Sequence, residues 1–152
     1  MFEHCHTPQE TAHFLRHRYG LPVRLLAGRP SVTTGSVLGA IVMPPELGRK
    51  VLAVLDRTHP APVIAEPGGR SWTFLVTPPF PATPVSIPTR RYLAEYEVTV
   101  VPGGHCVLLP ESDTPHGWHW AGEPAPEALH MPLRSAVIDA VYTVTGNRVG
   151  AH

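Results

Sequence analysis

Ala61-Pro62-Val63-Ile64-Ala65-Glu66-Pro67-Gly68-Gly69-Arg70-Ser71-Trp72-Thr73-Phe74 joins two apolar segments through a Pro-Gly-Gly turn. Proline presets its own φ and glycine accepts backbone angles that other residues resist, so the chain reverses direction here. Val63–Ala65 and Trp72–Thr77 read as the two arms of an antiparallel hairpin, with Arg70 beside the turn. A guanidinium next to flexible backbone is a geometry suited to meeting phosphate.

On the N-terminal side of this hairpin, Ser36–Met43 is a continuous apolar run, the pattern of a buried central strand. Pro44-Pro45-Glu46 starts a helix whose Leu47, Val51, Val54 and Leu55 fall at core spacing. Further upstream, Thr7-Pro8-Gln9-Glu10 opens another helix: Thr7 caps, Pro8 sits where a missing N–H costs nothing, and Glu10 completes a capping box. It runs to about Tyr19, with Ala12, Leu15 and Tyr19 inward, and Gly20-Leu21-Pro22 ends it. A strand at Val23–Leu26 precedes a turn at Gly28-Arg29-Pro30.

On the C-terminal side, the proline-rich stretch Pro78–Pro88 reads as irregular. Tyr96–Val101 and His105–Leu109 read as strands around the Pro102-Gly103-Gly104 turn, and Trp118-His119-Trp120 as a short strand. A last helix begins near Pro132, carries Leu133, Val137, Val141 and Val144, and stops at Gly146. There is no repeat and no second unit in this order. It predicts an α+β fold: a single domain over 1–152 with a central, mostly antiparallel sheet and about three flanking helices. Residues 1–22 hold the N-terminal helix and 132–146 the C-terminal one.

Composition narrows the partners. The chain has 152 residues, 43% hydrophobic and 16% charged, with 19 prolines and 13 glycines, as expected of a turn-rich globular domain. Its formal net charge is zero, so no bulk field draws it to nucleic acid or anionic lipid. Cys5 and Cys106 form neither a disulfide framework nor a metal-ligand spacing. No secretion leader and no apolar run of about 20 residues are present, which predicts a cytoplasmic protein without a membrane partner.

Candidate chemistry is sparse. Glu10, His13 and His17 share one face of the first helix, and the i, i+4 imidazoles have the spacing to share a metal ion, with His6 or Cys5 completing the set. The plainer reading is a solvent-facing polar stripe. Ser71, Ser112 and Cys106 lie near His105, His116 and His119 in sequence but in no recognised nucleophile context, and Cys106 reads as a buried strand residue. Glu95 and Glu97 would share one face of a strand, the one weak candidate for a paired-carboxylate site. Arginine outnumbers lysine 11 to 1. Arg70, Arg90 and Arg91, with Trp72, Trp118 and Trp120, offer phosphate contacts combined with base stacking, against the alternative of solvated arginines and core tryptophans.

Three segments, in order, resemble the bifunctional DNA primase/polymerase domain of the archaeo-eukaryotic primase superfamily. They are Val37–Met43 with the helix from Glu46, then Gly68-Gly69-Arg70-Ser71-Trp72-Thr73-Phe74, then Gly103-Gly104-His105-Cys106-Val107 through Pro110-Glu111-Ser112 to Gly117-Trp118-His119-Trp120. The likeness spans roughly residues 35–135. It breaks at the family's chemistry: its two metal-binding aspartates would fall where Ile41, Val42 and Met43 stand, its nucleotide histidine is Ser71, and a third acidic position falls near Val98. Without carboxylates to hold Mg²⁺, phosphoryl transfer lacks its charge stabilisation. The resemblance implies a degenerate, non-catalytic binding or regulatory domain without a cofactor, its partner a nucleic acid, a nucleotide or another protein. The competing expectations are a metal-dependent enzyme using the His-rich segments and a pH- or redox-responsive regulator built on ten histidines and two thiols.

Overall fold

The computed structural model describes residues 1–55, 61–112, 116–126 and 130–146. In chain order the elements are α1 (Pro8–Tyr19), β1 (Arg24–Leu26), β2 (Arg29–Thr33), β3 (Gly39–Met43), α2 (Pro45–Leu55), β4 (Val63–Ala65), β5 (Trp72–Val76), α3 (Ile87–Glu95), β6 (Thr99–Val100), β7 (Cys106–Leu108), β8 (His119–Gly122) and α4 (Arg134–Val144). The architecture is α+β, as predicted. The strands form two antiparallel sheets, a small one ordered β1-β2-β7 and a larger one ordered β6-β3-β5-β4-β8.

The hairpin around Arg70 has the expected register, Val63 opposite Phe74 and Ala65 opposite Trp72. Its turn is closed by Glu66 N donating to the Ser71 carbonyl at 3.0 Å and by Ser71 Oγ donating to the Glu66 carboxylate at 2.6 Å. Gly68 and Gly69 carry φ of 80° and 66°, angles that side chains with a Cβ resist. The first helix also begins as its sequence dictates, with Glu10 N donating to Thr7 Oγ1 at 3.1 Å. Glu10 reaches back one residue further than a standard capping box, accepting from His6 N at 3.1 Å.

Alternation along the large sheet makes two cores. Residues Ile41, Met43, Val63, Phe74 and Val76 face one side and pack with Val51 and Leu55 of α2, Leu93 of α3, and Val137, Ala140 and Val141 of α4. Ile64 and Leu75 face the other side, against Ala12, Leu15 and Tyr19 of α1, Val32 of the small sheet, and Leu21, Leu38 and Leu109. The large sheet is thus buried on both faces, which is why β3 and β5 are almost uniformly apolar.

Gly122 shows how closely β8 is seated. A Cβ there would lie 2.5 Å from the Ala61 carbonyl oxygen, a backbone atom with no rotamer to escape into. Gly122→Ala is expected to cost about 1–3 kcal/mol through overpacking, read as a lower urea midpoint at unchanged slope.

Several sequence expectations need correction. Among the described residues there are four helices where about three were expected, and the strands divide between two antiparallel sheets. The fourth is α3, which starts inside the stretch read as irregular: Ser86 Oγ accepts from Thr89 N at 3.4 Å, Pro88 occupies the tolerant first turn, and Leu93 is buried. The strand expected at 96–101 shrinks to Thr99–Val100, because α3 runs to Glu95. Glu95 therefore ends a helix and Glu97 sits at φ 59°, so they share no strand face. β6 and β7 do not pair with each other; β6 pairs with β3 and β7 with β2. The turn expected at Gly28-Arg29-Pro30 lies one residue earlier, with Ala27 and Gly28 both at positive φ, and β2 already starts at Arg29. The buried run read from Ser36 begins as strand only at Gly39, with Ser36 and Val37 exposed. Cys106 is exposed on β7, not buried.

Candidate functional site: an apolar groove with two arginines

β3 begins at Gly39 and β5 ends at Val76, opposite each other in register, so the large sheet stops at this pair. Beyond them the chain leaves β5 as Thr77-Pro78-Pro79-Phe80-Pro81-Ala82-Thr83-Pro84-Val85, a strap rich in residues that cannot donate backbone hydrogen bonds. Two tethers hold its start to the beginning of α4: Thr77 N donates to the Pro132 carbonyl at 2.8 Å, and Arg134 N to the Thr77 carbonyl at 3.0 Å. Farther along, Arg134 Nη2 donates to the Thr83 carbonyl at 2.8 Å.

Between this strap, α3 and β6 lies a groove of about 860 Å³. Its apolar walls include Val76, Val85, Leu93, Val98 and Val100. Its other side is the paired loops at Thr34–Ser36 and Val101–Gly103. Thr34 stitches those loops together, donating from Oγ1 to the Pro102 carbonyl at 2.7 Å and accepting from His105 N at 3.0 Å.

Charge in the groove is of one sign. Arg90 and Arg134 line it, and no Asp, Glu, His, Cys or Lys does so among the described residues. Burial, and then the neighbouring charge of Arg90, hold the Arg134 guanidinium below its ordinary value. Even so lowered, an arginine such as Arg134 stays charged at physiological pH. The groove therefore presents two cations facing an apolar chamber, a setting that favours an anion.

The residues singled out from sequence disperse around the molecule. Arg90 and Arg91, neighbours on α3, are both exposed, and of the two only Arg90 lines the groove. Arg70 is exposed beside the β4–β5 turn. Trp72 packs on the α2 side of the large sheet, where its ring lies under Arg49, the guanidinium carbon 5.6 Å from the centroid, and against Gly48. Trp118 and Trp120 pack on the opposite side, in the core that holds α1. The Trp120 indole N–H is buried without a hydrogen-bond partner among the described residues. No one face gathers the three tryptophans with the arginines.

The other candidates are placed as clearly. His13 and His17 do meet, ring centroids 4.1 Å apart, with Glu10 one turn earlier engaged by His6 N. Among the described residues no three His, Cys, Asp or Glu side chains are grouped to hold a metal ion. Ile41 and Met43 point into the α2–α4 core, Val98 is buried, and Ser71 is committed to Glu66. Where the resemblance would put carboxylates and a histidine, there are core side chains and a turn-closing hydroxyl.

Sequence reasoning missed Arg134 and the strap as parts of a site. The signal available was the length of 78–88: a long stretch without regular structure in a compact domain is usually functional. Set beside protein-family models, curated proteins and solved structures, the chain matches none of them. Among the described residues no helix is long and apolar enough to cross a membrane.

Proposed function

We propose that this chain is a non-catalytic ligand-binding domain and that the groove between the strap and α3 is its site. The observation that carries the reading is the lining itself: an apolar chamber of small-molecule size whose charged side chains, among the described residues, are Arg90 and Arg134. Site volumes for small ligands run from about 300 to 1,000 Å³. Among the described residues the lining supplies hydroxyls but no carboxylate, imidazole or thiol, so a bound molecule would meet no general base or activated nucleophile from them. It would be held, not transformed.

The arginine-and-tryptophan reading from the sequence keeps one member here, Arg90. A nucleic acid bound through Arg70, Trp72, Arg91, Trp118 and Trp120 as well would have to contact both sides of the large sheet. A nucleotide within the groove is compatible with the lining, its base on the apolar wall and its phosphate on the arginines.

Titration with anilinonaphthalene sulfonate, an apolar anion that fluoresces when desolvated, tests the site. Saturable one-to-one binding is expected, lost in Ala94→Trp, which fills the groove from the α3 wall. Equal binding by the two proteins, with both shown folded by circular dichroism, would remove the groove from consideration. In parallel, labelled single-stranded DNA should show no saturable anisotropy change that Arg70→Ala abolishes; such a change would restore the nucleic-acid reading.

A further inference from the structure

We infer that the natural occupant of the groove is a single-headed anionic amphiphile: an aliphatic or aromatic body carrying one carboxylate or phosphate monoester, the head lodged between Arg90 and Arg134. The inference rests on the groove being the binding site and specifies what enters it.

The walls determine the body. Val76, Val85, Leu93, Val98 and Val100 are apolar, and the strap contributes prolines and Phe80, which is 99% exposed at the start of the strap's central turn. Prolines have no N–H to offer, so this wall recognises shape and apolar surface rather than a pattern of acceptors. Acceptor groups of a ligand turned toward the strap find no N–H on its prolines, so an apolar body suits this wall better than one edged with acceptors.

The arginines determine the head. Both guanidiniums line the one groove with no acid among its described lining residues, and burial, then the charge of Arg90, lowers the Arg134 guanidinium. One anionic group satisfies both, since carboxylate and phosphate oxygens accept from two guanidiniums at once. Arg134 has already spent Nη2 on the Thr83 carbonyl, which leaves the remaining donors of its fork for the ligand. A nucleoside triphosphate brings about four negative charges and would find two cations and no lysine among the described lining residues. The charge balance favours a single head.

Arg134 gives the arrangement a second consequence. It binds the strap at Thr83 and lies in the groove, so a head seated against it bears on the same side chain that fixes the ligand's apolar wall. Charge recognition and wall placement are joined in one residue.

Isothermal titration calorimetry with a matched set of ten-carbon probes, each below its micelle concentration, separates the terms: decanoate, decyl phosphate, decanol and decyltrimethylammonium, with ATP as the polyanion. Decanoate or decyl phosphate should bind at least about tenfold more tightly than decanol, because a charge-assisted hydrogen bond is worth about that much. The relative affinity of the two acids identifies the head. The cationic probe should not bind. Arg90→Ala and Arg134→Gln should each erase most of the acid's advantage over decanol. Arg134→Gln removes the charge, and the backbone tethers between Thr77 and the start of α4 still hold the start of the strap. Equal affinity of decanoate and decanol, or ATP binding more tightly than either acid and lost in Ala94→Trp, would overturn the amphiphile while leaving the groove as the site. No probe whose binding responds to Ala94→Trp would overturn both readings.

Discussion

Phe74→Ala is expected to destabilise the protein by about 3–5 kcal/mol, a large part of the 5–15 kcal/mol by which a domain of this kind is usually stable. Phe74 is the largest of the fully buried side chains and sits on β5, the middle strand of the large sheet. It faces the core shared by α2, α3 and α4, with Val63 beside it on β4 and Ile41 on β3. Removing the ring leaves a void among buried side chains of α2, α3, α4 and the flanking strands, in a sheet covered on both faces, where neighbours have little freedom to collapse. The check is urea denaturation followed by circular dichroism, and a loss below about 1 kcal/mol would mean that this core is far looser than its burial indicates.

Leu15→Ala is expected to cost about 2–5 kcal/mol and to keep a single cooperative transition. Leu15 is fully buried on α1 and packs in the second core, with Ile64 and Leu75 from the reverse face of the same sheet. Because β4 and β5 supply both cores, a defect under α1 is felt by strands that also hold α2 and α4. Two separate transitions in the variant, one for α1 with the small sheet and one for the rest, would show that the faces unfold independently.

Legibility from sequence followed the range of the interactions. The β4–β5 hairpin and α1 were readable because their determinants lie within a few residues: Pro67-Gly68-Gly69 makes the turn, and Thr7 caps the helix four residues before Thr11 closes its first hydrogen bond. The apolar spacing of α2 was readable for the same reason. β6 and β7 were misread as a pair because their turn is local in appearance, whereas each finds its partner more than fifty residues upstream, Val100 at Ile41 and Val107 at Val32. The start of α3 was hidden by its prolines, although Ser86 and Pro88 stand where a capped helix places them.

The groove was less legible still. Arg90 stands out for its charge, but only the fold brings Arg134, 44 positions further along the chain, into the same groove. The tryptophans misled in a specific way: Trp72 and Trp120 belong to strands joined through β4, yet alternation sends them to opposite faces. Spacing along the chain suggested a shared surface, and the pleat divided it.

The margins of the two sheets carry a consequence for behaviour at high concentration. The large sheet ends in β6, two residues long, and in β8, whose pairing with β4 is interrupted by an irregularity at Val63 and Ile64. The small sheet ends in three-residue strands, β1 and β7. Unpaired amides on a long flat border invite another chain to add itself, the first step toward fibrils. Here every border is short or broken, so a protein with an apolar, doubly covered sheet offers little template for that growth.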